Sequence, residues 1–171
     1  FQWAEIESSL DLAIQALETD LLVGGVGPAG AAARVEYLRG DRTNEGFLPG
    51  EFRVRQSRLA DIVGSQPLVV GGASSRWPNQ DPFGAPSERF STFRDNQGSR
   101  RPVLYVGGNG GALHGFVADN SVDGGQEILA YIPAALASTQ PTKGLHYLTD
   151  QFYDHRFYVD GSPVAADVYI D

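Results

Sequence analysis

Apolar positions fall into two regimes along the chain. Through residue 38 they recur at helical spacing, and from residue 67 they come in short runs cut by glycine, asparagine and aspartate. Ile6, Leu10, Ala13, Ile14, Leu17 and Leu21 share a stripe, with Glu5, Glu7, Asp11 and Glu18 on other faces, which predicts an amphipathic helix ending near Gly24-Gly25. Gly24 to Gly30, containing Pro28, reads as a loop, and a second helix is expected from Ala31 to Leu38, closed by Gly40. The polar face of the first helix is acidic and lacks the Lys and Arg of a lipid-surface helix, so its stripe is expected to pack on its own domain. Docking on a partner or a membrane surface is the alternative.

The second regime is strand-like. Pro67 to Gly71 reads as a short buried strand. Val103 to Val106 and Ala112 to Val117 form a hairpin around Gly107, Gly108, Asn109, Gly110 and Gly111, with Asn109 and its flanking glycines expected at positive φ. Ile128 to Ile132 follows a second turn-rich patch, Asp119 to Gly125. Strand, Gly/Asn turn, strand, Asp/Gly turn, strand is the grammar of one quinoprotein-type propeller blade. Leu38 to Gly46 interleaves charges of both signs with turn formers and reads as a surface loop. Gly72 to Gln97 reads as a long irregular connection anchored by Trp77, Phe83, Phe90 and Phe93. Pro163 to Asp171 reads as a final apolar strand with no following turn. The expected fold is mainly β: part of a quinoprotein-like β-propeller preceded by an N-terminal amphipathic helix. Residues 1–58 form a helical lead-in and charged loop, and 59–171 the first blades of an incomplete propeller.

Composition narrows the function. A net charge of −8, with twelve arginines and one lysine dispersed among 21 acidic residues, argues against a nucleic-acid partner. Absence of cysteine excludes disulfides, thiolate metal sites and cysteine nucleophiles. The chain has no methionine and no apolar run near the roughly 20 residues that span a bilayer. These features suit an extracytoplasmic piece of a larger protein, whose secretion signal would lie upstream.

Several residues invite a chemical reading. Arg39-Gly40-Asp41 matches the tripeptide that integrins read, in a predicted loop. The structural reading, which is favoured, has Gly40 ending the helix and Arg39, Asp41, Arg42 and Glu45 pairing among themselves. Asp119, Asn120, Asp123 and Glu127 could form a calcium loop of hard oxygen ligands, but their spacing departs from the EF-hand pattern, so a solvated turn is expected. His114, His146 and His155 show no metal-ligand spacing, and Asp154-His155 with Ser162 lacks a nucleophile elbow, so structural histidines are expected.

The run Tyr37-Leu-Arg-Gly-Asp-Arg-Thr-Asn-Glu-Gly46 resembles the PilY/PilC family of type IV pilus tip-associated proteins, as do Phe52-Arg-Val-Arg55 and Leu59 to Gly71. Pro102 to Phe116, Glu127 to Pro133 and Tyr153 to Ile170 carry the resemblance to the C-terminus. The family more often has Ala-Asn-Asp-Gly-Met where this chain has Gly108-Asn-Gly-Gly-Ala112, so the aspartate of that turn is missing. The resemblance implies a C-terminal propeller displayed at the tip of a retractable pilus and secreted through the periplasm of a Gram-negative bacterium. It implies minor pilins, the remaining segment of the same propeller, and a host or abiotic surface ligand as partners. It further implies roles in pilus assembly, adhesion, twitching motility and surface sensing, with no enzyme activity. No cofactor is expected in this segment, and the family's calcium loop belongs to a later blade. A quinone- and calcium-dependent dehydrogenase propeller is the enzymatic alternative, although the chain has room for only about two or three blades. A carbohydrate- or peptide-binding propeller unrelated to pili is the other.

Overall fold

The computed structural model describes residues 2–7, 9–73, 75–80 and 85–168. Its regular elements are α1 (Trp3–Ile6), α2 (Leu12–Leu21), α3 (Gly27–Leu38), β1 (Leu68–Val70), α4 (Phe90–Asn96), β2 (Val103–Gly108), β3 (Ala112–Val117) and β4 (Glu127–Tyr131). The single amphipathic helix expected from Ile6 to Leu21 is therefore two helices. Asp11 explains the break: its carboxylate accepts the Ala13 and Ile14 N–H groups, 2.8 and 3.3 Å away, and so starts α2 afresh. Leu10, placed in the predicted stripe, is 91% exposed at this break. The expected loop Gly24 to Gly30 is shortened as well, because α3 begins at Gly27 with Pro28 in its first turn, where a missing N–H costs nothing.

The chain divides into two compact units interleaved along the sequence. The first is Phe1–Val63, Gly108–Ala112 and Tyr131–Asp160. Its core joins Ile6, Leu17, Leu21, Ala31, Val35, Leu145 and Leu148. Complete burial of Leu21, Val35 and Leu145 is worth about 1.5–3 kcal/mol per side chain. Arg34 of α3 donates from one nitrogen to the Leu21 and Val23 carbonyls, 2.7 Å each, placing a cation at the end of α2.

The second unit is Gly64–Gly107, Leu113–Ala130 and Gly161–Asp171. Four antiparallel strands in the order β1-β2-β3-β4 form its sheet, and β1 pairs with β2 in the register Leu68↔Tyr105, Val69↔Leu104, Val70↔Val103. The mainly β expectation applies to this sheet-bearing stretch, whereas the opening of the chain is helical. Gly72 to Gln97 is not wholly irregular: it contains a 3₁₀ turn at Pro86–Glu88 and helix α4, which buries Phe90. Trp77, expected as an anchor, is exposed, and Phe83 lies outside the described residues. Residues 163–168 form no strand, and Val164 and Val168 are exposed. Those β-branched residues have no ladder partner there, and β propensity alone does not hold an extended run in a sheet. The rest of that expected strand lies outside the described residues.

Candidate functional site

The Arg39-Gly40-Asp41 tripeptide closes α3. Gly40 has φ +101°, its N–H donates to Tyr37 O (2.9 Å), and Asp41 N–H donates to Glu36 O (2.9 Å). These two bonds form a Schellman cap, whose left-handed position favours glycine. Arg39 pairs with Glu36 at 3.6 Å. The Asp41 carboxylate accepts the Thr43 N–H at 2.6 Å, and that bond holds its pKa below the usual carboxylate range.

The charged loop after this cap is braced from inside. Glu45 accepts Arg55 Nε at 2.6 Å and Arg42 Nε at 2.9 Å, with only 5% of its side chain exposed. Burial would push the Glu45 carboxyl up, but the hydrogen bonds from Arg55 and Arg42 outweigh it and hold the pKa down. Arg55 also donates to the Tyr37 and Asp41 carbonyls (2.7 and 2.6 Å), and its guanidinium lies 3.6 Å from the Tyr37 ring centroid. One arginine thus ties the end of α3 to the segment 18 residues later.

Asn109 at the hairpin tip is 2% exposed. Its amide donates to Asp61 Oδ2 (2.7 Å) and accepts the Tyr158 N–H (3.1 Å), while its backbone N–H reaches the Asp61 carbonyl (3.0 Å). The expectation of positive φ at Asn109 and its flanking glycines is corrected: Gly111 alone in the turn is left-handed, at +93°. A Gly111 N–H to Gly108 O bond of 3.2 Å closes a three-residue loop, so the left-handed residue follows the turn. Asn109 is there for its amide, which joins three separate chain segments. Asp61 also takes His155 Nε2 at 2.9 Å, and the bonds from Asn109 and His155 outweigh burial to lower its pKa. An open cleft of about 510 Å³ runs along residues 53–61 and reaches Asn109, Tyr153 and His155.

Asp119 and Asp123 face a cation already present. Arg101 lies 2.8 Å from Asp119 and 3.4 Å from Asp123 and donates to Ser121 Oγ at 2.6 Å. Hydrogen bonding from Arg101 and Ser121 drives the Asp119 pKa far down. Glu127 turns to His114 Nδ1, 2.6 Å away across β3 and β4. Asn120 is exposed. With an arginine among its carboxylates this turn does not fit a calcium ion. Among the described residues, no group of three or more His, Asp or Glu side chains is arranged to hold a metal. His155 pairs with Asp61 and Asp154 with Arg156 (3.2 Å), and the Ser162 hydroxyl accepts the Gln66 N–H (3.0 Å).

Sequence reasoning missed Asp20, which is fully buried. One oxygen accepts the Ser138 and Leu145 N–H groups (2.8 Å each), and the other accepts His146 N–H (2.9 Å) and faces His146 Nδ1 (2.7 Å). An acidic residue between apolar helical positions, Leu17 and Leu21, was the available signal. Asp61 was missed too, and its sequence neighbours give no hint of Asn109 or His155.

A family model of the PilY1 β-propeller domain matches residues 59–171. A type IV pilus biogenesis factor PilY1 homolog of Xylella fastidiosa is 44% identical over 139 residues, covering 81% of this chain. The PilY1 biogenesis factor of Pseudomonas aeruginosa strain PAK is 44% identical over 139 residues (80% of this chain), and that of strain UCBPP-PA14 is 37% identical over 143 residues (82%). The chain spans 11% of the length of each of these relatives. No solved structure matches it.

Proposed function

The chain belongs to the PilY1 β-propeller family, and from that premise we propose that it is a non-catalytic scaffold segment of a type IV pilus tip protein. In this reading β1 to β4 make one blade of a quinoprotein-type propeller. The parent protein is displayed outside the cell at the pilus tip, engages minor pilins and a surface ligand, and serves assembly, adhesion, twitching and surface sensing. The observation that carries the reading is the 44% identity to proteins named as pilus biogenesis factors over four-fifths of the chain. A second support is how the charged residues are used. Arg55, Glu45, Asp61, Asn109 and Asp20 engage one another or backbone groups, as bracing residues do. Arg39-Gly40-Asp41 serves here as a helix terminus, and Asp119 and Asp123 as a surface turn. Absence of any helix long and apolar enough to cross a membrane among the described residues is compatible with display on a pilus.

The test is to shear pili from cells that make the intact parent protein and identify the proteins that copurify. The parent is expected in the sheared fraction with minor pilins, and its absence from that fraction while it is present in the envelope would refute the assignment.

A further inference from the structure

The cleft along residues 53–61 carries a charge opposite to that of the whole chain. Its lining holds two arginines against one carboxylate, in a protein of net charge −8. Arg55 is neutralised by Glu45, and Asp61 is taken by Asn109 and His155. Arg53 is different. Its Nε donates to the Leu148 carbonyl (3.2 Å) and its guanidinium lies over the Tyr153 ring, 4.2 Å from the centroid. No carboxylate among the described residues lies within ion-pair distance of it. Arg53 is therefore a fixed guanidinium, held by stacking, by one carbonyl and by a hydrogen bond to the Tyr37 hydroxyl, in a cleft whose volume is ordinary for a ligand site.

We propose that this cleft takes the carboxylate of an aspartate or glutamate side chain presented on an extended peptide segment of a partner protein. A guanidinium fixed by stacking on tyrosine matches the planar carboxylate and keeps little conformational entropy to lose. The walls favour peptide over sugar. Arg53 covers a face of Tyr153 on which a sugar ring would stack, while Tyr147 packs against Tyr153 at 5.1 Å. Residues 54–59 instead offer mixed apolar and polar exposure, Val54 and Leu59 with Gln56 and Ser57, as an extended chain requires. The inference stands on the cleft and does not depend on the pilus assignment.

The ¹⁵N-labelled 171-residue chain is titrated with three probes: acetyl-Ala-Ala-Asp-Ala-Ala-amide, the same peptide with Asn for Asp, and galacturonate. The Asp peptide is expected to give saturable shifts at the Val54, Gln56, Ser57 and His155 amides. It should bind about tenfold more tightly than the Asn peptide, the size of one charge-assisted hydrogen bond, and weaken as salt rises. Gln56 is exposed, so Gln56→Glu leaves the fold intact while placing a negative charge at the cleft; the Asp peptide should then bind about fivefold or more weakly. Arg53→Lys, which keeps the charge but loses the fork, should retain part of the affinity. Equal affinity for the Asp and Asn peptides, shifts confined to other surfaces, or no shift at millimolar Asp peptide would each overturn the proposal. Tighter binding of galacturonate than of the Asp peptide would overturn it in favour of a sugar site.

Discussion

Asp20→Asn should destabilise the chain far more than an ordinary charge-to-amide change. The Asp20 side chain is fully buried, and each oxygen faces two donors: Ser138 and Leu145 N–H on one side, His146 N–H and Nδ1 on the other. An asparagine keeps one oxygen and turns an NH₂ toward the remaining two groups. The least costly arrangement points that NH₂ at His146, whose ring can switch tautomer and accept. The backbone N–H of His146 cannot, so at least one charge-assisted bond becomes a donor facing a donor. Losing such a bond is worth about 1.5–3 kcal/mol, and stranding a buried donor adds about 1–3 kcal/mol. The expected loss is therefore about 3–5 kcal/mol, a large share of the 5–15 kcal/mol typical of a whole domain. At about 2–4 °C per kcal/mol for a chain of this size, the melting temperature should fall by roughly 10 °C. Urea and thermal unfolding of the two proteins measure it, with the exposed helix-cap variant Asp11→Ala as a control expected to cost about 1 kcal/mol. A loss below about 1 kcal/mol for Asp20→Asn would refute the reasoning, because the carboxylate would then not be holding these donors.

Gly111→Ala should cost about 2 kcal/mol or more, since φ is +93° and the new methyl would meet Leu145 and Leu148 at 3.0 and 3.3 Å; Gly110→Ala, which meets only Ala60 at 3.2 Å without positive φ, should cost less by urea unfolding. Gly40→Ala should lose about 1 kcal/mol of stability, and Asp41→Glu should leave the fold largely intact, both read from thermal melts. The Glu45 pKa is lowered on folding, so the unfolded chain binds more protons in acid and stability is lost as pH falls below the ordinary carboxyl value of 4.5. Urea midpoints from pH 7 to 3 should show that acid limb, and Glu45→Gln, destabilising at neutral pH, should flatten it; Asp61, half exposed, adds a smaller part.

How much of this was legible depended on whether the deciding contact was local. The strands of the hairpin were readable because apolar runs flank a glycine-rich turn, and β2 and β3 fall where the pattern puts them. The conformation of that turn is not encoded locally, because Asn109 is set by Asp61 and Tyr158, each nearly fifty residues away. The break between α1 and α2 had a local signal in Ser9 and Asp11, a capping pair outweighed by the apolar stripe. Helix α4 carried little periodicity because it buries a single residue, Phe90. The charged loop is legible as surface from its interleaved charges and turn formers, but the paired Glu45 and Arg55 beneath it depend on a reversal of the chain that composition does not encode. Asp20 shows the same limit, since its partners lie more than a hundred residues later.

The pilus assignment is tested most directly by exchange in a living relative. In Pseudomonas aeruginosa PilY1, the stretch that matches this chain over 139 residues is replaced by the corresponding residues of this chain, and surface pili and twitching are measured. If the segment is an interchangeable piece of the pilus factor, the chimera supports surface pili and twitching at near the native level. A chimera that accumulates normally yet yields no surface pili would contradict the assignment.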